Sequence, residues 1–170
     1  MALKTASVSL DNGDMRFIGR SGSGHALVLD SSSSDTGMRP AELIPLALAG
    51  CTAMDVISIL RKKRQDVRRY EVEATGEQEP DHPTAFTRID VRHVIDGPEI
   101  DEEAVRRAIE LSATKYCSVG ATLSSGITEV HHSYVVHDPF AADRSAEVIV
   151  LGPSADPADP AEQAALVAVG

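Results

Sequence analysis

From Pro40 to Arg64 the run PAELIPLALAGCTAMDVISILRKKR is apolar at Leu43, Leu46, Ala47, Ala53, Met54, Ile57 and Leu60, with little polar surface before its cationic end. A helix apolar nearly all round is a buried helix, and terminal Lys and Arg residues suit the negative carboxyl end of its dipole. Pro45 is accommodated if it falls within the first four helical residues, whose N–H groups have no intrahelical acceptor, so the regular helix starts near Ala41 or later. Elsewhere the period is two. KTASVSL, MRFIGR and HALVLD, punctuated by Asp11-Asn12-Gly13 and SGSG, predict a small antiparallel meander, and SSSSDTG a polar loop after it. RRYEVEATGE carries Tyr70, Val72 and Ala74 on one face, FTRIDVRHVI carries Ile89, Val91, His93 and Ile95, and ITEVHHSYVV carries Val130, His132, Tyr134 and Val136. Each predicts a strand with one buried and one wet side. Between the last two, Asp101 caps an amphipathic helix whose apolar positions are Val105, Ala108, Ile109, Ser112 and Tyr116. A short helical piece and a turn come next, around YCSVGATLS.

Beyond His137 the pattern stops and the composition shifts to Ala, Asp and Pro, as in PSADPADPAEQ, with one short apolar run, VIVLG. This divides the chain into a domain over residues 1–136 and a loosely ordered tail over 137–170, in which Asp159 and Pro160 could start a small helix. The chain's 170 residues suit an ordinary core without disulfides or metal. A net charge of −10, from 26 acidic and 16 basic residues, argues against nucleic acid or an anionic membrane as partner, because either polyanion would be repelled. The start MALKTASVSLDNGD lacks a signal peptide's apolar core, and no stretch is expected to approach the roughly 20 apolar residues of a membrane span. The expectation is a soluble, cytoplasmic protein. In a reducing cytosol Cys51 and Cys117 are then either buried thiols or redox-active ones.

Local motifs do not settle the chemistry. His25, His82, His93, His131, His132, Cys51 and Cys117, with His137, show no C-x-x-C, H-E-x-x-H or H-x-E spacing, so no metal is expected. His131 and His132 point to opposite sheet faces and cannot chelate together; His93 and His132, on apolar faces, read as hydrogen-bonded core histidines. GRSGSG lies between strands and reads as a hairpin turn rather than a phosphate loop. No nucleophile elbow stands in a strand-turn-helix context. On composition alone two free thiols read as inert core residues ahead of reactive ones, since free cysteine is among the most buried residue types.

The run from Pro40 to Arg64, with KYCSVGATLS and the later HHSY, resembles the osmotically inducible protein C and organic hydroperoxide resistance (OsmC/Ohr) family, and within it the YhfA-like branch. The likeness spans about residues 1–136. It implies an α+β fold in which antiparallel sheets wrap long central buried helices in an intertwined homodimer, with a site at each subunit boundary. It also implies a thiol peroxidase without a bound cofactor. The cysteine matching Cys51 attacks an organic hydroperoxide and becomes a sulfenic acid, and the one matching Cys117 resolves it to a disulfide that an external dithiol reductant reopens. A non-catalytic redox sensor or binder of a small apolar ligand is the alternative on the same fold.

Because a thiol in apolar surroundings ionises with difficulty, Cys51 needs a cation or hydrogen-bond donors nearby. It lies too far from its helix start for the dipole to serve. The family's peroxidases use an arginine oriented by a glutamate. The candidates are Arg20, in GRSGSG, which the resemblance favours, and Arg39, in GMRPAEL. The glutamate departs from the pattern: Ala41 stands ten positions before Cys51, where the family's peroxidases place it, and Glu42 stands one residue nearer. Nine residues at about 100° each set Glu42 on the opposite helix face from Cys51, unless Pro45 breaks the helix and lets that turn fold back or face the other subunit's pocket. Gly50, lacking a side chain, is expected to let another backbone or a substrate come close beside Cys51.

Overall fold

In the computed structural model, which describes residues 3–11 and 14–153, the predicted meander is present as β1 (Ala6–Leu10), β2 (Phe17–Ser21) and β3 (Ala26–Leu29). The three pair antiparallel in the order β1-β2-β3. The polar loop after it is organised by one buried carboxylate: Asp30 accepts from Thr36 Oγ1 at 2.5 Å, Ser34 Oγ at 2.7 Å, Thr36 N at 3.0 Å and Ser31 N at 2.7 Å. These donors, Thr36 foremost, hold its carboxyl well below the usual carboxylate range despite burial. A 3₁₀ turn, Pro40–Glu42, then leads into α1 (Leu43–Lys62). Pro45 is the third residue of α1, where its missing N–H costs nothing, and it does not break the helix. The chain separates into two compact units at this helix, residues 1–46 and 47–170.

The second unit is built on a four-stranded sheet, β4 (Arg69–Gln78), β5 (Phe86–Asp96), β6 (Glu129–His137) and β7 (Arg144–Leu151), in that order. Two expectations are corrected here. β5 and β6 run parallel, so the sheet is mixed rather than antiparallel. The crossover that a parallel pair needs is helical: α2 (Glu102–Leu111), a π turn (Ser112–Tyr116) and α3 (Ser118–Ser124). And residues 144–151, inside the segment expected to be a loose tail, form β7 antiparallel to β6, because VIVLG completes an apolar strand that the β6 edge can pair. The helix expected at Asp159 and Pro160 lies outside the described residues.

Burial matches the predicted strand faces. Ile89, Val91, His93 and Ile95 of β5 and Val130, His132, Tyr134 and Val136 of β6 are buried. Against them α1 lays the stripe Leu48, Thr52, Val56 and Leu60, spaced by four, and α2 the stripe Ala104, Val105, Ala108 and Ile109. Asp101 caps α2 as expected, accepting from the Glu103 amide at 3.0 Å. Tyr116 does not join that stripe and is 51% exposed, since the π turn adds a residue to the helical repeat and rotates the end of the turn away from the stripe. The central helix is also not covered all round: Ile44, Leu46 and Met54 are exposed, Met54 by 75%, because within one chain only a single face of α1 meets the sheet. By length and composition the segment Pro40–Lys62 is long and apolar enough to cross a membrane, which corrects the expectation that no stretch approaches that size. Its buried stripe is committed to the sheet instead.

Candidate functional site

Cys51 sits midway along α1, half-buried. Cys117 is the buried residue that ends the π turn and caps α3, where its Sγ accepts from the Gly120 amide at 3.2 Å. The fold brings the two together: both sulfurs and a carboxylate oxygen of Asp55 lie within 4.8 Å of one another. Asp55 is four residues after Cys51 and so stands one turn along on the same helix face. Both cysteines belong to one apolar cluster, with Leu48, Phe86, Val119 and Leu123 among its members.

This packing separates the thiols chemically. Burial pushes the Cys117 thiol up to about 12, a hydrogen bond from it to Cys51 pushes the same way, and the Gly120 and Val119 amides only partly offset them. Cys117 is thus held as a neutral S–H beside its more accessible neighbour. A Cβ at Gly120 would sit in ordinary van der Waals contact with Cys117 Sγ at 3.4 Å and Leu48 Cδ1 at 3.6 Å. A Cβ built at Gly50 would meet no atom of the described residues within 4 Å, so of the two neighbours expected beside Cys51 the backbone is not supplied by the described residues of this chain.

Sequence reading passed over Asp55 and Ser112, which complete the cluster. Ser112 is fully buried, and its Oγ stands 3.0 Å from both Thr52 Oγ1 and Asp55 Oδ2. A signal was available: between Leu43 and Leu60 Asp55 is the one charged residue, and burying a charge without a function or partners is costly. No local spacing encodes this set of groups, because it joins α1 to the end of the π turn.

Arg20 and Glu42 belong to the first unit. Arg20 is an exposed β2 residue. Glu42, in the 3₁₀ turn, takes the Arg39 amide at 2.9 Å and lies 3.6 Å from the Arg39 guanidinium, which also bonds Asp35 at 2.8 Å. The arginine held by Glu42 is therefore Arg39, the less favoured candidate. Farther along the sheet face of the second unit, Tyr70 Oη lies 2.7 Å from His93 Nδ1, and His93 Nε2 lies 3.4 Å from His132 Nδ1. Both histidines are the buried core residues their face predicted.

A mixed four-stranded sheet under a long apolar helix that presents one of two adjacent thiols defines the class of the protein, and comparison with known proteins agrees. The family model described as OsmC-like protein matches residues 33–131, and the chain belongs to that family. It is similar to Protein YhfA of Escherichia coli (strain K12), 42% identical over 122 residues that cover 72% of this chain and 90% of that protein. Among solved structures, a hypothetical protein from Aquifex aeolicus VF5 has a TM-score of 0.71 at 27% identity, covering 81% of this chain and 98% of the other. The organic hydroperoxide resistance protein OhrB of Bacillus subtilis shares the fold, with a TM-score of 0.54 at 15% identity over 78% of this chain and 98% of that one.

The histidine pair makes the fold acid-sensitive. Burial first, then the neighbouring His132, pushes His93 down to about 3, and burial with His131 pushes His132 to about 4. An unfolded histidine titrates near 6.5, so below about that pH the unfolded chain binds protons that the folded one refuses. Stability is fully present above pH 6.5 and falls as pH drops toward 4, by up to about 1.4 kcal/mol per pH unit for each histidine. Urea unfolding at pH 7 and pH 5 is expected to show this loss, and to show a smaller one for His132→Asn; equal losses would mean that His132 is not held neutral.

Proposed function

We propose that the chain is a thiol-dependent peroxidase that reduces organic hydroperoxides, with Cys51 as peroxidatic and Cys117 as resolving cysteine. The observation that carries this reading is the closeness of two free thiols of unequal exposure in an apolar cluster, Cys51 half-buried and Cys117 shielded and neutral. The Cys51 thiolate attacks a peroxide oxygen: an S–O bond forms, the O–O bond breaks, and the leaving alkoxide takes a proton to become the alcohol. Cys117 then attacks the Cys51 sulfenic acid, forming the S–S bond and releasing water. An external dithiol reopens the disulfide by exchange and is itself oxidised, as a reducing compartment such as the cytoplasm allows. The apolar lining favours alkyl or lipid hydroperoxides, since each buried CH₂ contributes about 0.8 kcal/mol.

A thiolate in an apolar cluster needs a stabilising cation. In this reading Arg20 and Arg39 remain the candidates and Glu42 the orienting residue; the Arg39–Glu42 pair favours Arg39. The working unit is a homodimer in which the exposed apolar face of α1, with Leu46 and Met54, packs on a second copy. The apolar exposure of Pro40–Lys62 supports this, since covering it removes apolar surface from water.

One equivalent of cumene hydroperoxide is expected to consume two thiols per chain of the reduced protein, and with excess dithiol the reaction cycles. Cys51→Ser abolishes consumption; Cys117→Ser leaves a sulfenic acid that dimedone traps. A wild type that loses no thiols ends the peroxidase reading, and one oxidation without cycling points to a sensor. Arg39→Gln is expected to slow Cys51 oxidation about tenfold or more and Arg20→Gln much less; the reverse order would return the role to Arg20. Met54→Glu is expected to yield monomers in sedimentation, whereas an unchanged dimer would place the interface elsewhere.

A further inference from the structure

We propose, resting on the peroxidase reading, that Asp55 carries the proton of the disulfide-forming step: it takes the proton from Cys117 as that sulfur attacks the Cys51 sulfenic acid, and delivers it to the departing hydroxyl. The step balances as Cys51–SOH plus Cys117–SH giving the disulfide and one water. Cys117 is oxidised, the sulfenic sulfur is reduced, and no proton leaves the site.

The need for such a carrier comes from the burial of Cys117. A thiol at about 12 is ionised to only about one part in 10⁵ at pH 7, so by itself it is a poor nucleophile. Its amide donors, Gly120 and Val119, help a thiolate once formed but accept no proton. The Asp55 carboxylate is the acceptor at hand, and because it lies within 4.8 Å of both sulfurs one group can collect the proton at Cys117 and release it at Cys51. Transfer in concert with S–S bond formation avoids a free thiolate altogether.

Ser112 keeps acid and thiol in register. Its Oγ donates to Asp55 Oδ2 at 3.0 Å, and its carbonyl accepts the Cys117 amide at 2.8 Å, the bond that closes the π turn. The irregular turn thus has a use: a regular helix would not end with Cys117 facing the acid held by its own first residue. Of the titratable groups packed against the cluster, Cys51 from α1 is already oxidised at this step. Tyr70 from β4, which feels the Asp55 charge, is held above its ordinary range chiefly by burial. His93 from β5 and His132 from β6, behind Tyr70, ionise only near 3 and 4. Tyr70, His93 and His132 do not change charge between pH 6 and 9, and the Cys51 sulfenic acid is common to wild type and variant, so a pH response that differs between the two reports Cys117 and its proton acceptor.

The test tracks both intermediates after the reduced protein is mixed with one equivalent of cumene hydroperoxide, quenching samples for dimedone-trapped Cys51 and for the Cys51–Cys117 disulfide by mass spectrometry. In Asp55→Asn the sulfenic acid is expected to form no more slowly than in the wild type, while the disulfide forms about 10² to 10⁴-fold more slowly at pH 7. That residual rate should climb about tenfold per pH unit toward pH 9, as the Cys117 thiolate forms by itself, against a nearly flat wild-type profile. A variant that closes its disulfide within threefold of the wild type overturns the proposal, as does a slow rate that ignores pH, since a packing defect gives no such slope. If Asp55→Asn does not fold, Ser112→Ala carries the same comparison: slowing of at least about tenfold with the rising profile supports the proposal, and a wild-type rate overturns it. A wild type that forms no sulfenic acid overturns the peroxidase reading and this step with it, a result distinct from normal oxidation and then normal closure in Asp55→Asn.

Discussion

The second unit depends on one packing constraint: α1 must lay Leu48, Thr52, Val56 and Leu60 on the apolar face of a four-stranded sheet whose own inward residues come from β5 and β6. Burying a stripe of that length supplies the hydrophobic contribution that orders the sheet, and it fixes the rotation of the helix about its axis. With the rotation fixed, the position before Thr52 on that turn and the position one turn later have no freedom. Cys51 is set at the margin of the buried stripe, half-covered, and Asp55 beside it.

The same burial creates the polar problem that the site solves. A carboxylate and two hydroxyls at the edge of an apolar interface need partners, because an unpaired buried polar group costs more than a hydrogen bond gains. Ser112 meets the need with its side chain while its carbonyl anchors Cys117, so satisfying Asp55 and placing the second thiol are one structural event. Tyr70, His93 and His132 solve the matching problem on the sheet face by bonding one another and staying uncharged. The dryness that pushes the Cys117 thiol up also makes the local arrangement of acid and thiol consequential, since electrostatic and proton-transfer effects are larger where water is excluded.

Much of this was legible in the chain. The period-two faces of β5 and β6 named their buried residues correctly, down to His93 and His132, and the three-and-four spacing after Asp101 located α2 with its cap. Three features were not legible. The parallel pairing of β5 and β6 depends on where the crossover returns the chain, which strand patterns do not encode. β7 was hidden because a short apolar run in an Ala, Asp and Pro background becomes a strand only when an edge is offered. Tyr116 fell off its predicted stripe because a π turn alters the helical repeat without a local composition signal.

By itself the sequence determined which segments are helix or strand and which of their faces are apolar, since periodicity is a property of residues a few positions apart. It also carried two cysteine contexts that resemble one family. Only the tertiary structure decided that Cys51 and Cys117 meet, that Asp55 stands with them, and that Ser112 holds the acid and the second thiol. The reason is physical. Contacts between α1 and the π turn are chosen by the register in which two helices settle on one sheet, which reflects packing of the whole core rather than any stretch short enough to read as a motif.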